Sequence, residues 1–220
     1  MRVSRPKIPI RSLSFRSEYP YRLVVQYHHN KYLSSLATDV TGFVATSATS
    51  SQIVVSFRGS ASLRNWLTDF TFPVILTTIC ADCFASTGFY ASWLESQTGV
   101  FAALDAARAQ FPTYKVVIVG HSLGGALATI ATGAIRSRGI RADMYTYGAP
   151  KVGLLGIAQY ISQTNLGENF RVTHVDDPVP RAPPLLLGYQ HVTPEYYITS
   201  GNDVLPTVND VTVYSGITNT

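Results

Sequence analysis

Apolar residues follow two different spacings along this chain, one typical of strands and one typical of helices. Residues 42–46 and 53–57 are short, largely apolar runs between turns rich in serine and threonine, which predicts two strands. Over residues 89–111 the apolar positions recur at helical spacing, and Pro112 ends the predicted helix. The β-branched stretch 115–119 follows at once and predicts a third strand.

The second half of the chain repeats this alternation. A helix-forming run begins near residue 126 and ends at Gly139, whose lack of a side chain suits a left-handed cap. Strands are predicted at 144–147 and 170–175, with a helix at 154–162 between them. Strands that alternate with helices predict an α/β fold with right-handed crossovers, a largely parallel sheet and functional groups at the carboxyl ends of its strands.

The length and charge of the chain indicate one domain. With 220 residues, 46% of them hydrophobic, the chain can bury a single core. Its net charge of +4 comes from residues 1–22, which hold six basic residues and one acidic residue, so the rest is nearly neutral. We therefore expect no nucleic-acid partner, a flexible or wrongly assigned basic arm at 1–22, and the domain at 23–220.

Two segments have the composition of possible targeting signals. The basic arm contains no apolar run long enough for a secretory signal peptide. Residues 116–135 carry no formal charge over about the length of a bilayer span, but they contain four glycines and change their periodicity midway. A strand, a turn and a helix therefore describe that segment better, and we expect no transmembrane segment.

The turn within that segment has the sequence Gly120-His121-Ser122-Leu123-Gly124. A strand that reverses at once into a helix forms a strained turn, and flanking glycines remove the side chains that would collide there. The Ser122 hydroxyl would then stand at a helix N-terminus, where backbone N–H groups favour developing negative charge. This pattern predicts the nucleophile elbow of a serine hydrolase.

A candidate acid follows a later predicted strand, in the sequence Asp176-Asp177-Pro178. In α/β-hydrolases the acid follows the serine in chain order and orients the histidine that acts as general base. The same residues also fit a simple Asx turn before proline. Local sequence alone does not choose between these two interpretations.

The two cysteines, Cys80 and Cys83, lie close together. A zinc site would need two further ligands at a suitable spacing, and a redox motif should open a helix after a core strand. A local disulfide is favoured instead, which would stabilise the fold by roughly 2 kcal/mol and indicate an oxidising compartment. We expect no metal site.

Five ordered runs between residues 42 and 200 resemble the fungal class 3 lipases, a family of triacylglycerol lipases and feruloyl esterases. The matching runs are Val54 to Ser60, Asn65-Trp66, Val119 to Ala126, Tyr145 to Pro150 and Val172 to Arg181. The resemblance implies an α/β-hydrolase fold, with a mostly parallel central sheet flanked by helices, that is incomplete at its C-terminus. It further implies a secreted monomer that needs no cofactor and acts on lipid or ester substrates at an oil–water interface.

The resemblance also assigns roles to particular residues. It implies that Ser122 is the nucleophile, that Asp177 rather than Asp176 is the acid, and that Ser60 and Leu123 donate hydrogen bonds to the oxyanion. The Cys80–Cys83 pair matches a disulfide of the family.

The segment after Ser60 corresponds to the mobile lid of the family. Leu63, Trp66, Leu67 and Phe70 lie at the spacing of one apolar helix face, with polar residues on the other face. Such a stripe could simply pack on the core. On a lid it would cover the site in water and contact lipid when open, which favours a lipase over a feruloyl esterase.

The general base is where the sequence departs from the family. His191 is the only histidine after Asp177, and the resemblance implies that it is a structural residue on a strand, with the catalytic histidine beyond Thr220. We therefore expect an acylglycerol ester hydrolase that acts through a serine acyl-enzyme but lacks its base in residues 1–220. The alternatives are a feruloyl esterase and a non-catalytic lipid-surface binder.

Overall fold

The structure is a computed structural model that describes residues 27–34, 40–59 and 72–217. Its strands are β1 (Tyr27–Ser34), β2 (Thr41–Ser47), β3 (Gln52–Phe57), β4 (Val74–Leu76), β5 (Phe84–Ser86), β6 (Lys115–His121), β7 (Ala142–Tyr147), β8 (Asn169–His174), β9 (Glu195–Ile198) and β10 (Val211–Tyr214). Eight of them form one sheet in the order β1-β2-β3-β6-β7-β8-β9-β10, and β4 pairs with β5 in a separate hairpin.

Five neighbouring strands, β3, β6, β7, β8 and β9, run parallel through the centre of the sheet. Strands β1 and β2 extend one edge in the antiparallel sense, and β10 closes the other edge against β9. The predicted, largely parallel sheet is confirmed. Because the parallel strands end at one edge, the segments after β3, β6, β7 and β8 all start on the same side of the molecule.

In the described part of the chain, three helices flank this sheet: α1 (Thr87–Gln110), α2 (Leu123–Ser137) and α3 (Leu155–Ser162). Helix α2 packs on β3, β6 and β7, and it is contacted in turn by α1 and α3. The core lies between the helices and the sheet. Its largest fully buried apolar side chains include Phe89, Trp93, Leu104, Ile118, Leu127 and Met144.

The uncharged segment 116–135 divides into strand β6 and helix α2, as its change of periodicity predicts. No helix in the described part of the chain is long and apolar enough to cross a membrane. Helix α2 ends at Ser137, and Gly139 follows in the left-handed conformation with a φ of 73°. The predicted cap is therefore present.

The expected disulfide joins Cys80 to Cys83 in the turn between β4 and β5. The Thr77 N–H donates to the Cys83 carbonyl at 2.9 Å, and the Cys83 side chain is buried. The bridge therefore closes the hairpin that precedes α1.

Several predictions concern residues outside the described part of the chain. These are the basic arm at 1–22, the oxyanion donor Ser60, and the lid residues Leu63, Trp66, Leu67 and Phe70. They remain predictions.

The expectation that His191 lies on a strand is wrong. Strand β9 begins four residues later, at Glu195. Pro194 lacks the backbone N–H that a ladder requires, so regular pairing with β8 starts only after it. His191 instead follows an isolated bridge between Gln190 and Gly153.

Candidate active site

Ser122 occupies the single residue between β6 and α2, in a conformation that L-residues rarely adopt. Its φ is 53° and its ψ is −124°, and its N–H donates to the Tyr147 carbonyl at 2.9 Å. The side chain is buried, and its hydroxyl oxygen has no hydrogen-bond partner among the described residues. Strain together with an unpaired hydroxyl at the carboxyl edge of the sheet is typical of a functional site.

The flanking glycines are required by close packing. A β-carbon on Gly120 would overlap the Gly124 carbonyl, and one on Gly124 would overlap the carbonyl of Phe57 at the end of β3. The turn is therefore tight and packs directly against the neighbouring strand. This explains why the pattern predicted from sequence needs glycine at both places.

Leu123, a predicted oxyanion donor, is the first residue of α2. The N–H groups of Gly125 and Ala126 donate to the Ser122 carbonyl at 2.9 and 3.2 Å. The Leu123 N–H lies before the first of these helical hydrogen bonds, so it has no acceptor within the helix. It lies where the helix dipole favours negative charge.

Asp177 follows the end of β8 at the same edge of the sheet and is half-buried, whereas Asp176 is exposed. Asp177 Oδ1 accepts the Val179 N–H at 2.9 Å, and the Asp177 N–H donates to the His174 carbonyl at 3.1 Å. The Asx turn considered from sequence is therefore present. It uses Oδ1, while Oδ2 faces Gly148.

Gly148 lies between the turn that contains Ser122 and the loop that contains Asp177. It has a φ of 55°, and a β-carbon there would overlap Asp177 Oδ2 and lie 3.8 Å from His121 Nε2. Its N–H donates to the Val172 carbonyl at 2.9 Å, which ties it to β8. Sequence analysis did not single out Gly148, although a glycine directly after a predicted strand is a usable signal.

An open cleft of about 290 Å³ adjoins Asp177 on the side of β9 and β10. Its lining includes Thr173, His174, Arg181, Tyr197 and Tyr214. His174 accepts the Asp176 N–H at Nδ1, at 3.2 Å, so its proton is carried on Nε2.

His191 lies in the core beneath this cleft. Its Nε2 is 2.6 Å from the Pro180 carbonyl oxygen, and because a carbonyl only accepts, Nε2 carries a proton and donates it. Burial lowers the pKa of His191 well below its ordinary value, and the charges of Arg171 and Lys151 lower it further. The ring is therefore neutral, and its Nε2 is bound to the Pro180 carbonyl in the core.

Charged side chains surround His191 in a buried polar cluster. Arg171 pairs with Glu195 at 2.9 Å, and Glu195 also accepts the Thr173 hydroxyl at 2.7 Å. The Lys151 ammonium donates to the carbonyls of Pro180 and Arg181 at 3.1 and 3.0 Å, and burial lowers the pKa of Lys151 to about 8. The cluster thus fixes the backbone that follows Asp177. Sequence analysis did not find it, because its members are far apart in the chain.

The strained serine between a strand and a helix, with an acid after a later parallel strand, defines the α/β-hydrolase fold. The profile of the family described as Lipase (class 3) matches residues 54–187, more than half of the chain. The chain belongs to the class 3 lipase family.

Curated and solved relatives agree with this assignment. The secreted mono- and diacylglycerol lipase 1 of Fusarium solani is 44% identical over 183 residues, which are 83% of this chain and 55% of that protein. The structure of a mono- and diacylglycerol lipase from Aspergillus oryzae superposes with a TM-score of 0.83 at 42% identity, covering 88% of this chain and 72% of that one.

A second solved structure concerns an unusual buried polar cluster in a family of fungal lipases. It has a TM-score of 0.84 at 40% identity, covering 89% of this chain and 72% of that one. The chain spans about half to three-fifths of the length of the curated relatives it matches.

Proposed function

We propose that this protein hydrolyses the carboxylic esters of acylglycerols through a serine acyl-enzyme. The observation that carries the proposal is the Ser122 hydroxyl, which is held at a strained strand-to-helix turn without a hydrogen-bond partner among the described residues. The names of its relatives, mono- and diacylglycerol lipases, support acylglycerols as the substrate class.

In this mechanism Ser122 Oγ attacks the carbonyl carbon of the ester and gives its proton to an imidazole. The carbonyl oxygen becomes an oxyanion that accepts hydrogen bonds from Leu123 N–H and Ser60. The bond to the alcohol oxygen then breaks, and the imidazolium returns the proton to that oxygen. Water repeats the sequence on the acyl-enzyme and releases the fatty acid, so no cofactor is needed.

Asp177 would orient that imidazole and stabilise its charged form through Oδ2. We infer that the imidazole comes from outside the described residues. Two observations support this: the His191 ring donates to the Pro180 carbonyl inside the core, and His174 is engaged by the Asp176 backbone. The cleft beside Asp177 has room for an imidazole ring.

The proposal extends to the setting in which the enzyme works. The amphipathic stretch with Leu63, Trp66, Leu67 and Phe70 would act as a lid that opens onto a lipid surface. The disulfide and the secreted relatives support an extracellular location. We expect a monomer.

The substrate class is tested by comparing rates on emulsified dioleoylglycerol, on a short-chain ester in solution and on methyl ferulate, each with and without added imidazole. We expect imidazole to raise the rates and the emulsified ester to be preferred. A preference for methyl ferulate would indicate a feruloyl esterase. Lipid binding without hydrolysis under any of these conditions would indicate a non-catalytic binder.

A further inference from the structure

The loop that carries Asp177 continues directly into a short turn of 3-10 helix, Val179–Arg181. The first N–H of this turn, that of Val179, donates to Asp177 Oδ1 at 2.9 Å, so the turn helps to orient the carboxylate. Within the turn, the Ala182 N–H donates to the Val179 carbonyl at 3.0 Å. A 3-10 turn of three residues has few hydrogen bonds of its own. The position of the turn therefore depends on the groups that bind its other side.

A single lysine binds that other side. Lys151 is 1% exposed, and its Nζ donates to the carbonyls of Pro180 and Arg181 at 3.1 and 3.0 Å. The Lys151 backbone N–H donates to the next carbonyl, that of Ala182, at 2.9 Å. Hydrogen bonds from a charged donor are about twice as strong as neutral ones. One residue thus holds three consecutive carbonyls of the segment that follows the acid.

Lys151 keeps its charge in surroundings that make a charge costly. Burial lowers its pKa the most, Arg171 on β8 lowers it further, and Glu195 on β9 raises it. The resulting pKa of about 8 leaves the amine mostly protonated at pH 7. An apolar side chain of similar length would avoid the cost of burying this charge. The ammonium is therefore best explained by what its hydrogen bonds do for the turn.

The Pro180 carbonyl does not by itself require Lys151. The neutral His191 ring also donates to this oxygen, at 2.6 Å from Nε2. What Lys151 adds is the second side-chain hydrogen bond, to the Arg181 carbonyl. One bonded carbonyl would leave the turn free to rotate about that contact, whereas two neighbouring carbonyls bound by one ammonium fix its orientation.

We propose that Lys151 is a positioning residue for the acid, because it holds the 179–181 turn so that the Val179 N–H fixes the Asp177 carboxylate. This inference rests on the proposed function, in which Asp177 orients an imidazole. Loss of the ammonium should let the turn move and leave the imidazole poorly oriented. The kcat should then fall while KM stays the same, since Lys151 is buried and does not touch the ester.

Arg136 provides a matched control. It is 2% exposed, and its guanidinium donates to the carbonyls of Ala142 and Ile161, each at 2.8 Å. Ala142 is the first residue of β7, so this cation lies at the amino edge of the sheet, opposite the edge that carries Ser122. Arg136→Met therefore removes an equally buried, carbonyl-binding cation without touching the 179–181 turn.

The first test is hydrogen exchange of single amides by NMR in the full chain at pH 7. The Ser122 N–H, which donates to the Tyr147 carbonyl, serves as the internal reference for general loss of stability. Lys151→Met should speed exchange of the Val179 N–H about tenfold relative to that of Ser122. The exchange ratio should stay at the parent value in Arg136→Met and in Lys151→Arg, which keeps a cation. If Lys151→Met does not fold, Lys151→Gln takes its place, since its shorter, neutral side chain cannot bind both carbonyls.

The second test is hydrolysis of a soluble p-nitrophenyl ester at pH 7 in saturating imidazole. Lys151→Met should lower kcat between about tenfold and a hundredfold at unchanged KM, the scale that a misplaced catalytic group produces. Lys151→Arg should restore most of this loss, and Arg136→Met should leave kcat unchanged. In an Asp177→Ala background, Lys151→Met should cost nothing further.

The proposal is overturned if the exchange ratio in the Lys151 variant equals that of the parent, if Arg136→Met lowers kcat equally, or if the loss persists without Asp177. Amide exchange is measured without turnover. A parent that hydrolyses no ester even with imidazole would therefore contradict the proposed function, while the exchange ratio would still decide the role of Lys151.

Discussion

The Asp177 carboxylate lies so close to Gly148 that a β-carbon on that glycine would overlap Oδ2. Because Gly148 follows β7 and Asp177 follows β8, this contact sets the separation of the two loops next to the serine turn. The second carboxylate oxygen is fixed by the Val179 N–H. The orientation of the acid is thus determined on one side by a hydrogen bond and on the other by the absence of a side chain.

Replacing Gly148 with alanine should therefore displace Asp177. With added imidazole, we expect ester hydrolysis to fall about a hundredfold, the scale that a misplaced catalytic group produces. The control is Gly139→Ala, because Gly139 also has a positive φ but has open space around its α-carbon. It should cost about 1 kcal/mol of stability and leave hydrolysis unchanged.

A double variant tests whether Gly148→Ala acts by displacing Asp177 or by disturbing the site in another way. In an Asp177→Ala background, Gly148→Ala should cost no further activity if it acts through the carboxylate. Additive losses would mean that Gly148 matters for another reason.

The buried ion pair should matter far more to stability than an exposed one. Glu195→Ala leaves Arg171 buried without its carboxylate and should lower the free energy of unfolding by about 3–5 kcal/mol. Asp105→Ala removes the exposed pair with Arg138 and should cost at most about 1 kcal/mol. Urea unfolding of both variants checks the difference, and equal effects would refute this account of the cluster.

His191 should make the fold sensitive to acid. Its pKa is lowered well below the ordinary value in the folded chain. Below about pH 6.5 the unfolded chain therefore takes up a proton that the folded chain excludes, and stability falls as the pH falls. His191→Gln keeps an N–H donor toward Pro180 but cannot titrate.

We expect the stability of the parent relative to His191→Gln to fall by up to about 1.4 kcal/mol per pH unit below about pH 6. Urea unfolding at several pH values gives this difference directly. A difference that does not change with pH would show that His191 is not buried in its neutral form.

The Cys80–Cys83 bridge should contribute modestly to stability. On loop-entropy grounds, Cys80→Ala/Cys83→Ala should lower the free energy of unfolding by about 2 kcal/mol. A reductant should produce the same loss in the parent and none in the variant. Destabilisation of the variant by the reductant would point to an effect other than the bridge.

The sequence predicts β2, β3, β6, β7 and β8, all three described helices, and the strand-to-helix turn around Ser122, because each depends on neighbouring residues. The strand expected at His191 lies instead at β9, and β10 is not predicted, because each of these strands has only four residues and depends on pairing with its neighbours. The cluster around His191 depends on contacts such as Lys151 to Pro180, which join residues about thirty positions apart. No local pattern encodes such contacts, and a buried lysine contradicts the usual preference of its residue type.

Covalent trapping shows which side chain of this protein attacks the ester, and we expect it to be Ser122. An alkyl phosphonate ester that mimics the tetrahedral intermediate is incubated with the chain in the presence of imidazole. The tryptic peptide 116–136, which contains Ser122, is then analysed by tandem mass spectrometry. We expect a single adduct on Ser122 that is absent from Ser122→Ala and unchanged in Ser137→Ala. An adduct on another residue, or equal labelling of Ser122→Ala, would contradict it.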